Sequence, residues 1–372
     1  MNSKNTILIC SNYAWTLVNF RLPLIKSLIK EGYKVEVITQ YDGYENELEK
    51  IVDKVHPLFI SRQGMNPFVD LITFLNILFC LLKVRPSVFM PFTIKPVIYG
   101  SMASRFAGVR HISTIEGLGA VFIKNNWITK LVKKMYFLSL KSVSVVFFLN
   151  ASDQELFVRG ELVKIEKTSL IQGSGIDINT FLSSKEPSYE NTTFILIARM
   201  LWDKGIGEFV GAAKNVKALY PNVNFQLLGP LGVQNPASIS ENKIHEWEAS
   251  GDIKYLGDTN DVRPYIEAAS CVVLPSYREG LSRVLLEASA MSRPVIASDV
   301  PGCREVVDNK ITGFLCKVRS VNDLTDKMVS FISLSESARS KMGHEGRKKI
   351  EREYTVEKVC KKYLESIKVL VS

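Results

Sequence analysis

The chain has 372 residues, 46% of them apolar, which is enough to fill the cores of two ordinary domains. Its six scattered cysteines show neither C-x-x-C nor Cys/His ligand spacing, so a disulfide framework and a zinc site are disfavoured. The net charge of +9 is uneven, because residues 1–170 contain 21 Lys and Arg against 13 Asp and Glu, whereas residues 171–372 contain 26 against 25. The basic first half favours an anionic partner, either a nucleic acid or a membrane surface rich in acidic lipid.

Neither a secretion signal nor a membrane span is predicted. The opening residues, MNSKNTILIC, run into a strand-like segment without the apolar stretch and cleavage site of a signal peptide. The longest uncharged apolar run, Leu71 to Leu82, is shorter than the ~20 residues of a spanning helix, so we expect a buried or interfacial helix there. A reduced, cytoplasmic protein is expected.

Short β-rich segments alternate with helical segments along the chain. In the first half the order is TILIC, a helix near Asn19–Glu31, YKVEVIT, a helix over Asn66–Val84, SVFM, VRHIST, a basic helix, SVSVVFFLN, another helix and KTSLIQG. After GSGID at 173–177 and a polar stretch, the order is TTFILIA, a helix from about Gly205, VNFQLLG, DIKYLG, SCVVLPS, a helix and RPVIASD. This spacing predicts parallel sheets covered by helices on both faces.

The predicted fold class is therefore α/β, with two Rossmann-like doubly wound domains that face a cleft. The first domain is expected over residues 1–172, with a helix at 355–372 that returns to it, and the second over 173–354. Ligands bind such sheets at the carboxyl ends of their strands. Neither half contains G-x-G-x-x-G or G-x-x-x-x-G-K-[ST], which disfavours hydride transfer and P-loop chemistry.

Two glutamates flank a predicted helix start in YREGLSRVLLEASAM. Glu279 lies in the turn after a buried strand, and Glu287 lies inside the helix that Ser282 is expected to cap. The helix N-terminus between them offers free backbone N–H groups that suit a phosphate. Taken alone, the pair is more typical of a surface acid in a turn and an ordinary acid in a helix than of a binding site.

Two cations follow the first strand of the second domain, in IARMLWDKGIGEF. Arg199 and Lys204 are placed to hold a diphosphate and to neutralise it as it leaves. Each alone is typical of solvated surface charge. Together with the glutamates they indicate a site for a nucleotide-diphosphate sugar.

At this point the chain resembles a known family. IARMLWDKGIGEF, YLGDTNDVRPYI, VLPSYREGLSRVLLEASAM and PVIASDVPGCREVV are similar to the retaining family 4 glycosyltransferases of the GT-B fold across the second domain. In the first domain, NFRLPLIKSLIKEGYKV, MNPFVDLITFLNIL and STIEGLGAVFI resemble the subgroup that extends polyprenyl-diphosphate-linked saccharides, in particular its N-acetylgalactosaminyltransferases. The resemblance implies transfer from a UDP-sugar onto an undecaprenyl-diphosphate-linked saccharide in O-antigen, capsule, lipopolysaccharide or glycoprotein glycan assembly.

The resemblance also implies site roles. Arg199 and Lys204 would contact the donor diphosphate, Glu287 the ribose hydroxyls and Glu279 the hydroxyls of the donor sugar, while the backbone of Gly280, Leu281 and Ser282 would lie near the phosphates. The implied catalytic residues are Glu279, Glu116, Arg199 and Lys204. Retention of the anomeric configuration is implied, with no enzymatic nucleophile named.

The first domain departs from the family pattern. Many relatives have a histidine near the transferred sugar, but here His111 precedes that region and Glu116 of EGLG stands nearer the place. Glu116 and Gly117 are expected either to orient the acceptor or sugar, or to hold the loop. Arg21 is either a contact of the acceptor diphosphate or a charge on a helix surface.

No metal is expected, because no D-x-D motif occurs in the chain. Arg199, Lys204 and the helix N-terminus would take over the electrostatic role of an ion. The UDP-sugar is a co-substrate and no cofactor is expected.

Residues 122–141 form a predicted basic helix. Trp127, Leu131, Met135 and Leu138 recur at helical spacing, with Lys130, Lys133, Lys134 and Lys141 alongside. Such a helix either lies on an anionic bilayer or packs on its own sheet. The first alternative predicts a peripheral protein on the cytoplasmic face of the inner membrane.

Two rival functions are weighed. A nucleotide-sugar 2-epimerase uses the same two-domain fold but needs no basic, membrane-suited first domain. A nucleic-acid-binding protein would explain the charge, yet zinc-finger spacing and RNA-binding aromatic motifs are missing from the sequence, so no nucleic-acid partner is expected.

Overall fold

The computed structural model describes residues 6–61, 66–118, 122, 127–183, 191–233 and 235–372. The chain divides into two compact units. The first unit consists of Met1–Gly175 and Val356–Ser372, and the second of Ile176–Thr355. Each unit has its own buried apolar core between sheet and helices. The α/β prediction is confirmed within each unit.

The first unit is built on parallel strands. Four strands pair in the order β3-β2-β1-β4 and three in the order β5-β6-β7. Parallel bridges from Phe89 to His111 and from Phe92 to Thr114 connect β4 and its continuation to the β5 region. The strands are β1 (Thr6–Tyr13), β2 (Lys34–Gln40), β3 (Lys54–Pro57), β4 (Val88–Pro91), β5 (Ile112–Ile115), β6 (Val145–Phe148) and β7 (Thr168–Leu170).

Helices connect these strands. They are α1 (Ala14–Phe20), α2 (Leu22–Lys30), α3 (Glu45–Glu49), α4 (Pro67–Val84), α5 (Ser101–Ala107), which follows a π-helical turn (Pro96–Gly100), α6 (Trp127–Leu140), α7 (Ala151–Arg159) and α14 (Val356–Val371).

The helix expected near Asn19–Glu31 is present as α2, Leu22–Lys30, but it begins later than predicted and a separate helix precedes it. Two helices, α1 and α2, meet at Arg21, which has a non-helical φ of −123°. Pro23 lies in the first turn of α2, and its missing N–H prevents one helix from continuing through this point. The break turns Arg21 into a junction residue.

The second unit contains one six-stranded parallel sheet in the order β10-β9-β8-β11-β12-β13. This is the strand order of a doubly wound dinucleotide-binding sheet. The strands are β8 (Thr193–Ile197), β9 (Asn224–Leu228), β10 (Lys254–Tyr255), β11 (Cys271–Leu274), β12 (Val295–Ser298) and β13 (Gly313–Cys316). The helices are α8 (Ile206–Leu219), α9 (Glu241–Ala249), α10 (Arg263–Ala268), α11 (Arg283–Ala290), α12 (Val321–Ile332) and α13 (Glu336–Glu353).

The strands predicted from the sequence are confirmed, and two were missed. β3 and β13 are short segments, KVHP and GFLC, that lie at sheet edges and have no long apolar run. The C-terminal helix, α14, belongs to the first unit as expected, and its Tyr363 is fully buried in that core.

Helix α4 confirms the helix predicted over Asn66–Val84, and it extends beyond the uncharged apolar run, Leu71 to Leu82, at both ends. In the part of the chain that the structure describes, it is the one helix long and apolar enough to cross a membrane, and 28% of it is buried. Asn66 caps its first turn by accepting hydrogen bonds from the backbone of Phe68 and Val69. The cap explains why the helix begins at Pro67.

Candidate active site

The second unit brings Lys204 and Glu279 together. Lys204 ends a short 3₁₀ turn after β8, Glu279 follows β11, and these two strands are neighbours in the sheet. The Lys204 Nζ donates to Glu279 Oε1 at 2.6 Å, and Ser276 Oγ donates to the same oxygen at 2.7 Å. Both charged side chains are largely shielded, with 20% and 14% of their surfaces exposed. A half-buried ion pair therefore stands at the carboxyl edge of the sheet.

Two glycines permit the backbone approaches that hold this pair. Gly205 has φ +73°, and a Cβ there would lie 2.1 Å from the carbonyl oxygen of Pro275. Gly302 has φ +83°, and a Cβ there would lie 2.6 Å from the backbone carbonyl of Glu279. Since any side chain would push these turns apart, glycine allows the turns after β8 and β12 to approach the turn after β11 closely.

Helix α11 begins where the sequence predicted. Ser282 caps it by accepting from the backbone N–H of Leu285, and the backbone N–H of Ser282 donates to Gly302 at 2.9 Å. Gly280 and Leu281 are half-buried in the turn that leads into the cap. The first turn of α11 thus lies directly after the turn that carries Glu279.

Glu287 is buried on α11, and burial raises the pKa of its carboxyl against the opposing effect of Arg283. Arg283 Nε donates to Glu287 Oε1 at 2.7 Å. Arg283 was missed by sequence reasoning, although its i, i+4 spacing to Glu287 was a usable signal. Arg199 lies exposed after β8.

A second polar group in the same turns was also missed. Tyr277 donates its hydroxyl to Glu208 Oε1 at 2.7 Å, and the backbone N–H of Tyr277 donates to the carbonyl of Asp203. The guanidinium of Arg319 lies 4.4 Å from the centre of the Tyr277 ring. These contacts connect the turn after β11 to the start of α8. They were not predicted because the partners are far apart in the sequence.

The first unit pairs Arg21 with Glu116. The Arg21 guanidinium donates to Glu116 Oε1 and stacks over the ring of Phe92 at 4.4 Å from its centre. Arg21 is 2% exposed, so its interpretation as a helix-surface charge is wrong. Burial is the largest single effect and lowers the pKa of Arg21, but the charge and hydrogen bond of Glu116, together with Tyr363 and Cys360, raise the net pKa. Glu116 thus has a partner within its own unit, as expected if it holds the loop.

The loop after β5 has the backbone that its glycine allows. Gly117 follows Glu116 with φ +152°. Below it, Thr114 and Tyr363 of α14 share a hydrogen bond of 2.8 Å between their hydroxyl oxygens. His111, earlier on this segment, is fully buried, and burial lowers its pKa to about 4, so it is neutral near pH 7. The loop of Glu116 is therefore anchored on both β5 and α14.

Helix α6 packs by a face other than the one predicted to be apolar. Val132, Tyr136 and Leu140 are buried in the core of the first unit. Trp127, Leu131 and Leu138 are exposed, and Met135 is half-buried. Of the lysines, Lys133 is half-buried and the others, Lys130, Lys134 and Lys141, are exposed. Residues 123–126 of the predicted segment lie outside the described residues.

The chemistry available in the second unit is that of anion binding and hydroxyl recognition. Lys204 keeps two ammonium donors beyond the one given to Glu279, and Glu279 keeps a carboxylate oxygen that can accept from a hydroxyl. Among the described residues, no group of three His, Cys, Asp or Glu side chains is arranged to hold a metal ion.

Comparison with known proteins identifies the family of this chain. The model of glycosyl transferases group 1 matches residues 179–349, and that of glycosyl transferase 4-like proteins matches residues 6–150. The N,N'-diacetylbacillosaminyl-diphospho-undecaprenol alpha-1,3-N-acetylgalactosaminyltransferase of Campylobacter jejuni is 31% identical over 84% of this chain and 85% of its own length.

Two further proteins extend the comparison. The UDP-Gal:alpha-D-GlcNAc-diphosphoundecaprenol alpha-1,3-galactosyltransferase of Escherichia coli is 23% identical over 81% of each chain. The crystal structure of a glycosyltransferase from Rickettsia africae superposes with a TM-score of 0.80, at 19% identity and full coverage of both chains, which shows the fold. The comparisons do not support the alternative of a nucleotide-sugar 2-epimerase. The chain belongs to the family 4 glycosyltransferases, which have the GT-B fold.

Proposed function

We propose that this glycosyltransferase moves an N-acetylhexosamine, N-acetylgalactosamine as first choice, from a UDP-sugar onto an undecaprenyl-diphosphate-linked saccharide. The names of the Campylobacter jejuni and Escherichia coli relatives support this acceptor class, and the latter also supports a UDP-linked donor. The product would enter surface polysaccharide, such as O-antigen or capsule, or a protein-linked glycan.

The Lys204–Glu279 ion pair carries the proposal. It sets a cation and a hydroxyl acceptor side by side at the carboxyl edge of a doubly wound sheet, next to the N-terminus of α11. The cation and the helix N-terminus suit a diphosphate. The hydroxyl acceptor, Glu279, suits a sugar. Residues 173–354 would be the donor-binding domain in this proposal.

The remaining donor contacts follow from the same elements. Arg199 is exposed and can reach an anion, and the turn of Gly280, Leu281 and Ser282 offers backbone N–H groups at the start of α11. Glu287 would bind the ribose hydroxyls. Its buried carboxylate already has Arg283 as a partner, which leaves one oxygen for a hydroxyl.

In the first unit, Glu116, Gly117 and Arg21 would bind or orient the acceptor. Because Arg21 is buried, we propose that it acts through Glu116, whose side chain is 25% exposed, as a positioning residue. Residues 1–172 with 355–372 would be the acceptor-binding, membrane-facing domain.

Transfer would retain the anomeric configuration and need no metal ion. Lys204, Arg199 and the N-terminus of α11 would stabilise the charge that builds on the departing diphosphate. The leaving UDP and the incoming hydroxyl would then use the same face of the sugar.

The enzyme would work as a peripheral protein on the cytoplasmic face of the inner membrane. Exposed Lys130, Lys134 and half-buried Lys133 on α6 suit an anionic lipid surface. Flotation should show binding to vesicles that contain acidic lipid, and charge reversal of the three lysines to Glu should abolish it. Equal binding to neutral vesicles would contradict this part.

The transfer itself is tested by mass spectrometry. The purified protein is incubated in EDTA with a synthetic polyprenyl-diphospho-N-acetylhexosamine and a pool of UDP-sugars. We expect the lipid to gain the mass of one N-acetylhexosamine residue. A gain that requires added Mg²⁺ or Mn²⁺ would contradict metal independence, and UDP-sugars that isomerise while the lipid stays unchanged would contradict the transferase proposal.

A further inference from the structure

An apolar groove lies on the first unit, between three helices. It has a volume of about 610 Å³, and its walls come from α4, α5 and α6. The walls include Leu71, Phe74, Met102, Phe106, Trp127 and Leu131. All of them are hydrophobic.

The surroundings of the groove are also apolar and unusually exposed. Phe106 is 72% and Trp127 69% exposed, although both line the groove. On α4, the neighbouring Phe68 and Phe79 are 78% and 66% exposed. A contiguous surface of this kind marks a binding site rather than scattered surface residues.

One end of the groove is polar and lies at the carboxyl edge of the sheet. Asp70, in the first turn of α4, lines the groove and accepts from Lys95 Nζ at 2.7 Å. Lys95 follows the carboxyl end of β4, just as Glu116 follows the carboxyl end of β5, and the β4 and β5 segments are joined by parallel bridges. The groove therefore starts at the sheet edge that carries Glu116.

The charge around the groove suits an anionic group. Asp70 and Glu116 are the only acidic residues between positions 66 and 141, and each is in an ion pair with a basic side chain. Exposed Lys130 and Lys134 lie on α6, the same helix that supplies Leu131 to the wall. An uncompensated negative charge is thus absent from the described part of this surface.

We propose that the groove holds the first isoprene units of the acceptor lipid. This inference rests on the proposed function, because the acceptor's diphosphate would stand at the polar end near Glu116 while its chain runs along α4 and α6. Methyl-branched isoprene units fill an apolar groove without leaving hydrogen-bonding groups unpaired. Burial of apolar surface in the groove stabilises the bound chain, so the groove would favour isoprenoid acceptors over water-soluble ones.

The inference is tested by photo-crosslinking in solution, without vesicles or turnover. The probe is a photoreactive analogue of farnesyl diphosphate, and adducts are mapped by peptide mass spectrometry. We expect labels on the peptides of α4 and α6, displaced by unlabelled farnesyl diphosphate and not by inorganic diphosphate. Labels elsewhere, or displacement by inorganic diphosphate alone, would overturn the proposal. An absence of labelling in solution would also overturn it, and would leave the bilayer as the occupant of this surface.

A matched pair of variants distinguishes binding in the groove from nonspecific hydrophobic binding of the probe. Leu131 and Leu138 lie on α6 with 42% and 41% exposure, but only Leu131 is among the groove-lining residues. Leu131→Asp should weaken labelling about tenfold, because a charge would replace an apolar contact in the wall. Leu138→Asp should leave it unchanged, and an equal loss in both variants would contradict the groove. Since labelling needs no transfer, it can succeed even if the proposed reaction fails.

Discussion

The two units use buried charge in different ways. In the second, Lys204 and Glu279 form a pair that glycine turns hold at the edge of the sheet and that keeps hydrogen-bonding capacity for a ligand. In the first, Arg21 is almost fully buried beneath Glu116, and the exposed features are apolar helices. The difference is consistent with our proposal that the second unit binds a small polar ligand and the first an amphipathic one.

The largest effect should follow from Lys204→Ala. Loss of the cation beside the diphosphate should lower kcat/KM by about 10²–10³-fold, the range seen when one preorganised electrostatic group is removed. Lys214→Ala, an exposed lysine on α8, is the control and should retain activity. Steady-state kinetics measures both variants. Similar activity in wild type and Lys204→Ala would remove the basis for the donor site.

Next in size is the Arg21–Glu116 pair. Arg21→Met leaves Glu116 without its cation and should lower the free energy of unfolding by about 3 kcal/mol. Glu116→Gln and the double variant complete a thermodynamic cycle by denaturant unfolding. The double variant should lose less than the sum of the single ones, and Arg105→Met, on the exposed side of α5, should lose little. Strict additivity would show that the pair is not coupled.

Gly302→Ala tests the backbone approach behind Glu279. A Cβ would lie 2.6 Å from the carbonyl of Glu279, so the turn must shift in addition to the strain of φ +83°. We expect a loss of about 2 kcal/mol in stability, together with lower activity. Gly232→Ala shares a positive φ but has no neighbour within 4 Å, so it should lose stability only through strain. Thermal unfolding compares the two, and equal losses would contradict the close-approach argument.

The smallest effect concerns the pH dependence of stability. Burial raises the pKa of Glu287 above its ordinary value of 4.5, so the folded state favours the protonated form. The contribution of this group is therefore present below pH 4.5 and is lost as the pH rises through the folded pKa. Relative to Glu287→Gln, wild type should lose stability over that range. Exposed Glu267→Gln should track wild type, and parallel curves for all three would contradict the assignment.

The parallel sheets follow from features that the sequence displays directly. Buried parallel strands such as CVVL of β11 are short apolar runs between helices of regular spacing, so the alternation predicts the sheet. β3 and β13 were not predicted, because an edge strand needs no long apolar run. Helix α11 was predictable because its cap, Ser282, is local.

The charge pairs were not predictable, because their partners are far apart in sequence. Lys204 and Glu279 are separated by 75 residues and Arg21 and Glu116 by 95. Their individual roles were expected from the family resemblance, but their pairing depends on which strands become neighbours. Arg21 is the clearest example of a residue whose partner the sequence does not reveal. A basic residue in an amphipathic helix is typical of a surface, but here the helix is interrupted next to Pro23 and Arg21 is buried.

The fate of a radiolabelled donor sugar tests the central claim most directly. Wild type and Lys204→Ala are incubated in EDTA with labelled UDP-N-acetylgalactosamine and a polyprenyl-diphospho-N-acetylhexosamine, and the label is counted in the organic and aqueous phases. We predict that wild type moves the label into the lipid phase and that Lys204→Ala does so far more slowly. Label that stays in the aqueous phase with wild type, across the other UDP-N-acetylhexosamines as well, would contradict the proposed transfer.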